Sequence, residues 1–350
     1  MFSLHLPMRF LLFVATVLLF SCSDKNEEPD VSDIKIDVNI KRFDQDFFSI
    51  DTTRLDAEVQ KLGERYPSFL PLYFEYFSPV DFIVKQQGRS FTEAFTEYYR
   101  NIKPLWDSSQ KRFSNLNKIE NALEKSFKYV KYYFPNWKVA DVLTTVESLN
   151  PENPSEVYGT TYFHDTLVIS LQMFLGGNFS VYDPAQYPEY IRRRFEPEYI
   201  VPNSIRAIST ELYADSSEGA LVEQMIEKGK RWYLMKKLLP DYPDTLITGY
   251  TKKQSDWCDS NEGNIWGYIN QNENLYSNEQ STLQIYIGEA PFTSTLPHGN
   301  AGEGAPGNIG AWVGLQIVES FAKQNAALSL PQLLRTPARK IFQESRYRPK

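Results

Sequence analysis

Two glycines one turn apart, Gly310 and Gly314, lie in a stretch that otherwise reads as an apolar helix from about residue 307 to 323. Glycine costs a helix interior about 1 kcal/mol relative to alanine, so a pair on one face needs a reason. The pair leaves a face without side chains, where another backbone can approach closely. Ile309, Val313, Ile317 and Phe321 form the adjoining buried stripe. Pro306 and Gly307 are expected to open this helix, because proline fits a first helical turn. The loop ahead of it, from His298 through Gly302 and Gly304 to Gly307, contains a literal G-x-G-x-x-G. A dinucleotide site needs that pattern in the first strand-turn-helix unit, with an acid ~20 residues further on. Here the pattern comes late in the chain, with Pro306 inside it. Asn308 and Ile309 stand where a phosphate loop would carry lysine and a hydroxyl. The segment reads as packing.

The rest of the chain supplies material for a large core. Of 350 residues, 42% are hydrophobic, and a chain of this length buries about 75% of its unfolded surface. The formal charge of −7 argues against a nucleic-acid binder, which needs a basic stripe. Residues 34–40 alternate as a strand with one buried face, and 137–146 and 166–171 are further strand candidates. Helices are expected over 53–65, 91–99, 116–134, 187–195, 202–213 and 218–239, and over 251–271 as one or two short pieces. The clearest is 116–134, where Leu116, Ile119, Leu123, Phe127, Val130 and Phe134 share one stripe. The chain after residue 323 reads as a basic tail. No repeat of 20–50 residues and no long internal linker divides the body. The expectation is a single helix-rich α+β domain with a small sheet.

The first residues carry an address. Phe10 to Phe20 form an apolar run behind Arg9, long enough for a signal-peptide core and too short to cross a bilayer. The run ends Leu18-Leu19-Phe20-Ser21-Cys22, which resembles the lipobox of bacterial lipoproteins and implies cleavage after Ser21 and acylation of Cys22. On this reading residues 1–21 are a lipoprotein signal peptide, 22–32 a flexible acidic tether, and 33–350 the globular domain. Asp24, Glu27 and Glu28 in the tether loosely resemble the acidic patch that sends some envelope lipoproteins to the cell surface. With Cys22 acylated, Cys258 is alone and no intramolecular disulfide forms.

No complete catalytic set is visible. A zinc hydrolase would place two imidazoles one turn apart in His-Glu-x-x-His, but His5, His164 and His298 are far apart in sequence, and His5 leaves with the signal peptide. There is no G-x-S-x-G elbow. Cys258 with His164 or His298 is the one thiol-nucleophile option, and a buried small hydrophobe beside Trp257 is the simpler reading. Asp256, Asp259 and Glu262 fall at i, i+3 and i+6, the spacing of one helical face. An EF-hand fails there, because Gly263 is at the wrong loop position and Asn270 replaces the terminal glutamate. No cofactor, catalytic residue or metal ligand is assigned. Cys22 is the one assigned site, for lipid attachment.

Several segments in order resemble the gliding-motility lipoprotein family of the GldB type: Arg42-Phe43-Asp44 with Phe47-Phe48, Tyr66-Pro67 with Phe69, and Tyr132-Tyr133-Phe134-Pro135. So do Phe195-Glu196-Pro197 with Ile200-Val201-Pro202, Trp257-Cys258, Asn261-Glu262 and Trp266. The strongest block is Pro306-Gly307-Asn308-Ile309-Gly310 followed by Trp312, Gly314 and Gln316-Ile317-Val318. The resemblance implies an envelope lipoprotein of the motility and secretion machinery. Such a protein is held at a membrane, expected to be the outer one, by its acyl chains, and works without catalysis through contacts with other envelope proteins. Such proteins also occur in bacteria that do not glide. A weaker likeness is to zincin-type metallopeptidases. It would place the metal-gripping helix at 202–211, which holds no histidine, and a third ligand at Glu218 or Glu223. A fold of that kind here would have lost its metal site. The alternatives are an envelope hydrolase of peptidase type, built on His164, His298, Cys258 or the Asp256/Asp259/Glu262 face, and a glycan-binding lipoprotein using exposed aromatics.

Overall fold

Aromatic side chains gather the first half of the chain around a small sheet. The computed structural model describes residues 28–150, 158–214, 218–297 and 303–349. Helices Phe43–Phe48 (α1), Leu55–Arg65 (α2) and the short Leu70–Leu72 (α3) lead through a wide turn at Tyr73–Phe77 into Val80–Gln87 (α4). The Phe43 ring meets Tyr66, Phe69 and Tyr73 at 5.1, 4.9 and 4.8 Å, in the edge and tilted arrangements that aromatic quadrupoles favour. Ser90 and Glu93 form a reciprocal cap for Phe91–Arg112 (α5). This helix runs well beyond residue 99, where the sequence pattern suggests an end, and passes through Pro104. Burial of Phe95, Tyr98, Ile102 and Ser109 outweighs the backbone bond that proline removes. Asn117–Tyr133 (α6) follows as expected, with Leu123, Phe127 and Val130 fully buried.

The sheet has four strands, Ile40–Lys41 (β1), Asp141–Thr145 (β2), Thr160–Phe163 (β3) and Thr166–Ser170 (β4), in the order β1-β2-β4-β3. β1, β2 and β4 run parallel and β3 is antiparallel to β4. Residues 34–40 keep the expected alternation, with Val38 and Ile40 buried and Asp37 and Asn39 exposed, but only Ile40 and Lys41 join the ladder. β3 was not foreseen. It is the outer arm of a hairpin whose two-residue turn, His164-Asp165, has φ of 45° and 58° at the two positions, the conformation that suits the right-handed twist of paired strands.

Asp44 ties these parts together. Its carboxylate accepts from Arg42 Nε and Nη2 at 2.9 and 2.8 Å, from Gln110 Nε2 at 2.6 Å and from Thr144 Oγ1 at 2.5 Å, so α1, α5 and β2 share one buried charge. Removing one side of a buried, fully bonded pair costs about 3–5 kcal/mol.

The second half is helical: Glu189–Arg192 (α7), Ile200–Leu212 (α8), Leu221–Leu238 (α9), Asp244–Thr248 (α10), Lys252–Ser260 (α11), Glu262–Asn272 (α12) and Gln280–Ile287 (α13). Then come Ile309–Gln324 (α14), Leu330–Arg335 (α15) and Ala338–Glu344 (α16). Three expectations need correction. The helix over 187–195 is only the four residues of α7. α14 starts at Ile309, not at Pro306-Gly307, because Asn308 takes a left-handed φ of 57° just ahead of it. The chain beyond 323 is no tail: α16 packs on α9 and α14, and buries Ala338 and Ile341. Val31–Lys350 makes one compact unit; of the other, Met1–Asp30, residues 28–30 are described. Among the described residues no helix is long and apolar enough to cross a membrane.

The close approach anticipated at Gly310 and Gly314 is present, and its partner is α9. A Cβ on Gly314 would lie 1.8 Å from Met225 O, and one on Gly229 would lie 2.2 Å from the Gly314 carbonyl carbon. One on Gly310 would fall 2.9 Å from Met225 Cγ, Ile287 Cγ2 and Tyr286 O. Backbone atoms cannot move aside as a flexible side chain can. Gly314→Ala and Gly229→Ala are therefore expected to lower unfolding stability by about 3 kcal/mol or more. Gly267→Ala in α12, where an added Cβ meets nothing within 4 Å, should raise it by about 0.5–1 kcal/mol. Urea melts of the three variants check both signs.

Candidate functional site

Besides the Asp44 joint and the buried Lys230–Glu227 pair, two concentrations of polar side chains interrupt the apolar interior of the described residues. The first lies at the C-terminal ends of β2 and β4, which the parallel register sets side by side, with Thr145 opposite Ser170. Glu147 is buried here and accepts a hydrogen bond from the Ser170 hydroxyl. Thr145 and Gln172 stand beside the same carboxyl, but Glu147 Oε2 completes no hydrogen bond. The Tyr73 and Tyr98 hydroxyls lie 3.1 Å apart, and Tyr73 donates to Val146 O at 3.2 Å. Burial pushes the Glu147 carboxyl above the usual range, and the bonds from Ser170, Gln172 and Thr145 pull it back only in part.

The second concentration is an arginine-rich crevice. Arg193 and Arg194 follow α7, Asn203 and Arg206 lie one turn apart on α8, Tyr158 precedes β3, and Glu289 follows α13. Asn203 Nδ2 donates to Tyr158 O at 2.8 Å and anchors the start of the hairpin; Arg206 Nη2 donates to Ile247 O at 2.8 Å. Two guanidinium groups approach the Tyr158 ring, with Arg206 Cζ 4.9 Å and Arg194 Cζ 5.8 Å from its centre. Arg194 pairs with Glu289 Oε2 at 3.0 Å, and the Tyr158 hydroxyl reaches Glu289 Oε1 at 3.4 Å. Gly249, at φ 74°, makes room for Arg194: a Cβ there would sit 2.4 Å from Arg194 Nε.

The pair is lopsided in its exposure. The Arg194 side chain keeps 8% of its surface and the Glu289 side chain 43%, although protein crowds Glu289 on most sides. That combination puts Glu289 at the outer end of the pair and Arg194 at the inner end. Burial opposes the charge on Glu289, and the Arg194 and Arg206 guanidinium groups overcome it and hold the carboxyl low. Arg193 is pushed down by burial and then by Arg194; Arg206 is pushed down by burial, which Tyr158 opposes and Arg194 reinforces. Among the described residues Glu289 is the one carboxylate in ion-pair contact with any of Arg193, Arg194 and Arg206. The Nε atoms of all three are buried without a hydrogen-bond acceptor.

The residues singled out in the sequence fall elsewhere. His164 is exposed at the β3–β4 turn. Cys258 is fully buried and its thiol is pushed far up by burial, then by Asp259, so it stays protonated. Asp256, Asp259 and Glu262 divide between α11 and α12. Asp256 pairs with Lys252; Asp259 is raised by partial burial and then by Asp256; Glu262 accepts from the Tyr347 hydroxyl at 3.0 Å. Glu223 bonds Ala220 N at 2.9 Å and Arg339 Nε at 3.0 Å, and Glu218 is exposed just before α9. Among the described residues no three His, Cys, Asp or Glu side chains are grouped to hold a metal. His5, Cys22 and His298 lie outside the described residues. The crevice itself went unnoticed in the sequence, although the run Arg192-Arg193-Arg194 next to buried Phe195 was a signal for it.

A family model described as gliding motility protein GldB matches residues 24–349. The chain belongs to that family. It is thereby a gliding-motility-related lipoprotein of the cell envelope. No curated protein and no solved structure matches it. Several residues that carry the GldB resemblance now have physical roles. Arg42-Phe43-Asp44 joins α1, α5 and β2; Phe195 packs edge-on against Tyr182 at 4.8 Å; Trp266 meets Tyr347 at 5.6 Å; Gly310 and Gly314 admit α9. Pro197 and Val201 bracket the entry to α8, whose next turns carry Asn203 and Arg206 to the crevice.

The raised carboxyl of Glu147 gives a prediction with a definite sign. A group held protonated by the fold stabilises below its ordinary range, and that stability is lost as pH rises through its folded value. Glu147→Gln, which stays neutral, should melt higher than the parent chain at pH 8, and the difference should shrink as pH falls toward the ordinary glutamate range. Thermal melts across this window check it.

Proposed function

We propose that this protein is a lipid-anchored member of the envelope motility and secretion apparatus that acts by contact with other envelope proteins and not by turnover of a substrate. Acyl chains on Cys22 anchor it to the outer membrane, and the globular body is the working part. Family membership across residues 24–349 carries this reading. Support also comes from the surface. Tyr76 and Phe82 are 70% and 62% exposed on neighbouring turns of one segment, where large aromatic side chains suit a protein contact.

The reading separates anchoring from contact. Cys22→Ser should move the protein from the membrane fraction to the soluble fraction of the envelope while leaving its melting curve unchanged. Tyr76→Ala with Phe82→Ala should leave stability within about 0.5 kcal/mol, as exposed positions do. In a gliding host the pair should weaken both motility and co-purification with envelope proteins. Normal motility and secretion in a strain lacking the whole protein would overturn the proposal.

A further inference from the structure

Positive charge collects on α15, α16 and the segment that follows them. Between 335 and 348 stand Arg335, Arg339, Lys340, Arg346 and Arg348 against one carboxylate, Glu344, in a chain whose formal charge is −7. All five cations are exposed. On α16 the buried face is Ala338 and Ile341, which turns Arg339 and Lys340 outward. These two are partly balanced, Arg339 by Glu223 at 3.0 Å and Lys340 by Glu344 at 4.0 Å. Among the described residues Arg335, Arg346 and Arg348 have no ion pair. The segment is firmly held. Ser345 is buried, and its carbonyl accepts from Ser320 Oγ at 2.8 Å and from Gln324. Tyr347 packs on Trp266 and donates to Glu262 Oε1 at 3.0 Å. Between these two anchors Arg346 takes a left-handed φ of 47°, a conformation that glycine and asparagine accept more readily. An arginine in that place gives up backbone ease to keep a charge. α16 is about 10 Å long and its flanking stretches are short, so the five Cα atoms lie within about 35 Å of one another.

We infer that this basic strip is a docking surface for anionic lipid headgroups of the bilayer that holds the protein. The inference rests on the proposed acylation of Cys22. Nine peptide steps lead from Cys22 to Val31, the first residue of the compact unit, and at full stretch they reach about 30 Å. A body on so short a lead stays beside the bilayer, so headgroups are the anions always within its reach. That proximity favours lipid over an acidic protein. The chain as a whole is acidic, but the fields of exposed charges fade over about 8 Å at physiological ionic strength. The face turned to the membrane therefore counts, and not the total charge. Each unpaired arginine is worth about fivefold in partitioning onto an anionic bilayer, and three give about a hundredfold. Glu223, Glu262 and Glu344 beside the strip limit its strength. An attraction of that size orients a tethered body and releases an unanchored one once lipid is dilute, so Cys22→Ser protein still passes to the soluble fraction.

The test is sedimentation of the chain from residue 22 onward, carrying Cys22→Ser, with concentrated vesicles at low salt. One set is phosphatidylcholine alone and the other is phosphatidylcholine and phosphatidylglycerol in equal parts. The protein should bind the anionic vesicles and not the neutral ones, and added sodium chloride should release it. Arg335→Gln, Arg346→Asn and Arg348→Gln together should lower that binding by about a hundredfold. Their melting curve should match the parent's, since none of the three has an ion pair to lose. Arg346→Asn alone should melt at or above the parent temperature, because asparagine suits the left-handed φ. Equal binding to both vesicles, no binding to either, or anionic binding unchanged in the triple variant overturns the proposal. Absence of vesicle binding together with loss of co-purified envelope proteins in the triple variant overturns it in favour of an acidic protein. The assay contains no acyl chain, so its failure is distinct from a failure of the anchoring reading, which membrane retention of Cys22→Ser in cells would show.

Discussion

Helices α9 and α14 meet where neither Gly229 nor Gly314 carries a side chain, and the second half of the chain is built outward from that contact. Backbones this close gain dispersion along their whole shared length, and the meeting leaves no slack for sliding, because the nearest atoms are main-chain atoms. The consequences reach the crevice. Gly310 abuts Tyr286 O and Ile287 at the end of α13, and Gly307 leaves no space between itself and the Ala290 backbone. Glu289 lies between those two fixed points. Its carboxylate is therefore set in place by glycine packing on one side and met by Arg194 on the other.

Buried carboxyls in this protein are handled in two opposite ways. Asp44 receives a guanidinium, an amide and a hydroxyl, so its charge is spread over partners from three elements and serves as a joint. Glu147 has no cation in salt-bridge contact among the described residues and rests among hydroxyls, and burial favours its neutral form. The crevice is the inverse problem, since there the surplus is positive. Tyr158 eases it by offering its ring face to two guanidinium groups and its hydroxyl to Glu289. An arrangement that leaves buried donors unmatched is costly to keep for packing alone, which sets this region apart from the fully satisfied network at Asp44.

The expected lipid attachment at Cys22 lies outside the described residues. Nothing in the crevice or the glycine contact depends on a lipid, and an acyl chain would tie the body to a surface without shaping it. Tyr76 and Phe82 leave large apolar side chains exposed on that body.

The class of fold was legible because it rests on local periodicity. The stripe from Leu116 to Phe134, the paired glycines at 310 and 314, and the alternation at 34–40 all state which face is buried before any partner is known. Local pattern does not name the partner. That Gly314 meets Met225, that only Ile40 and Lys41 enter the ladder, and that residues after 323 pack as two more helices depend on atoms distant in sequence. The crevice was hidden for the same reason. Arg194, Arg206, Tyr158 and Glu289 come from four separate segments, and their surplus charge exists only once folding brings them together. Sequence alone determined which residues must leave water; the tertiary structure decided which charges are left facing one another when they do, because Coulomb forces act on distance in space and not on distance along the chain.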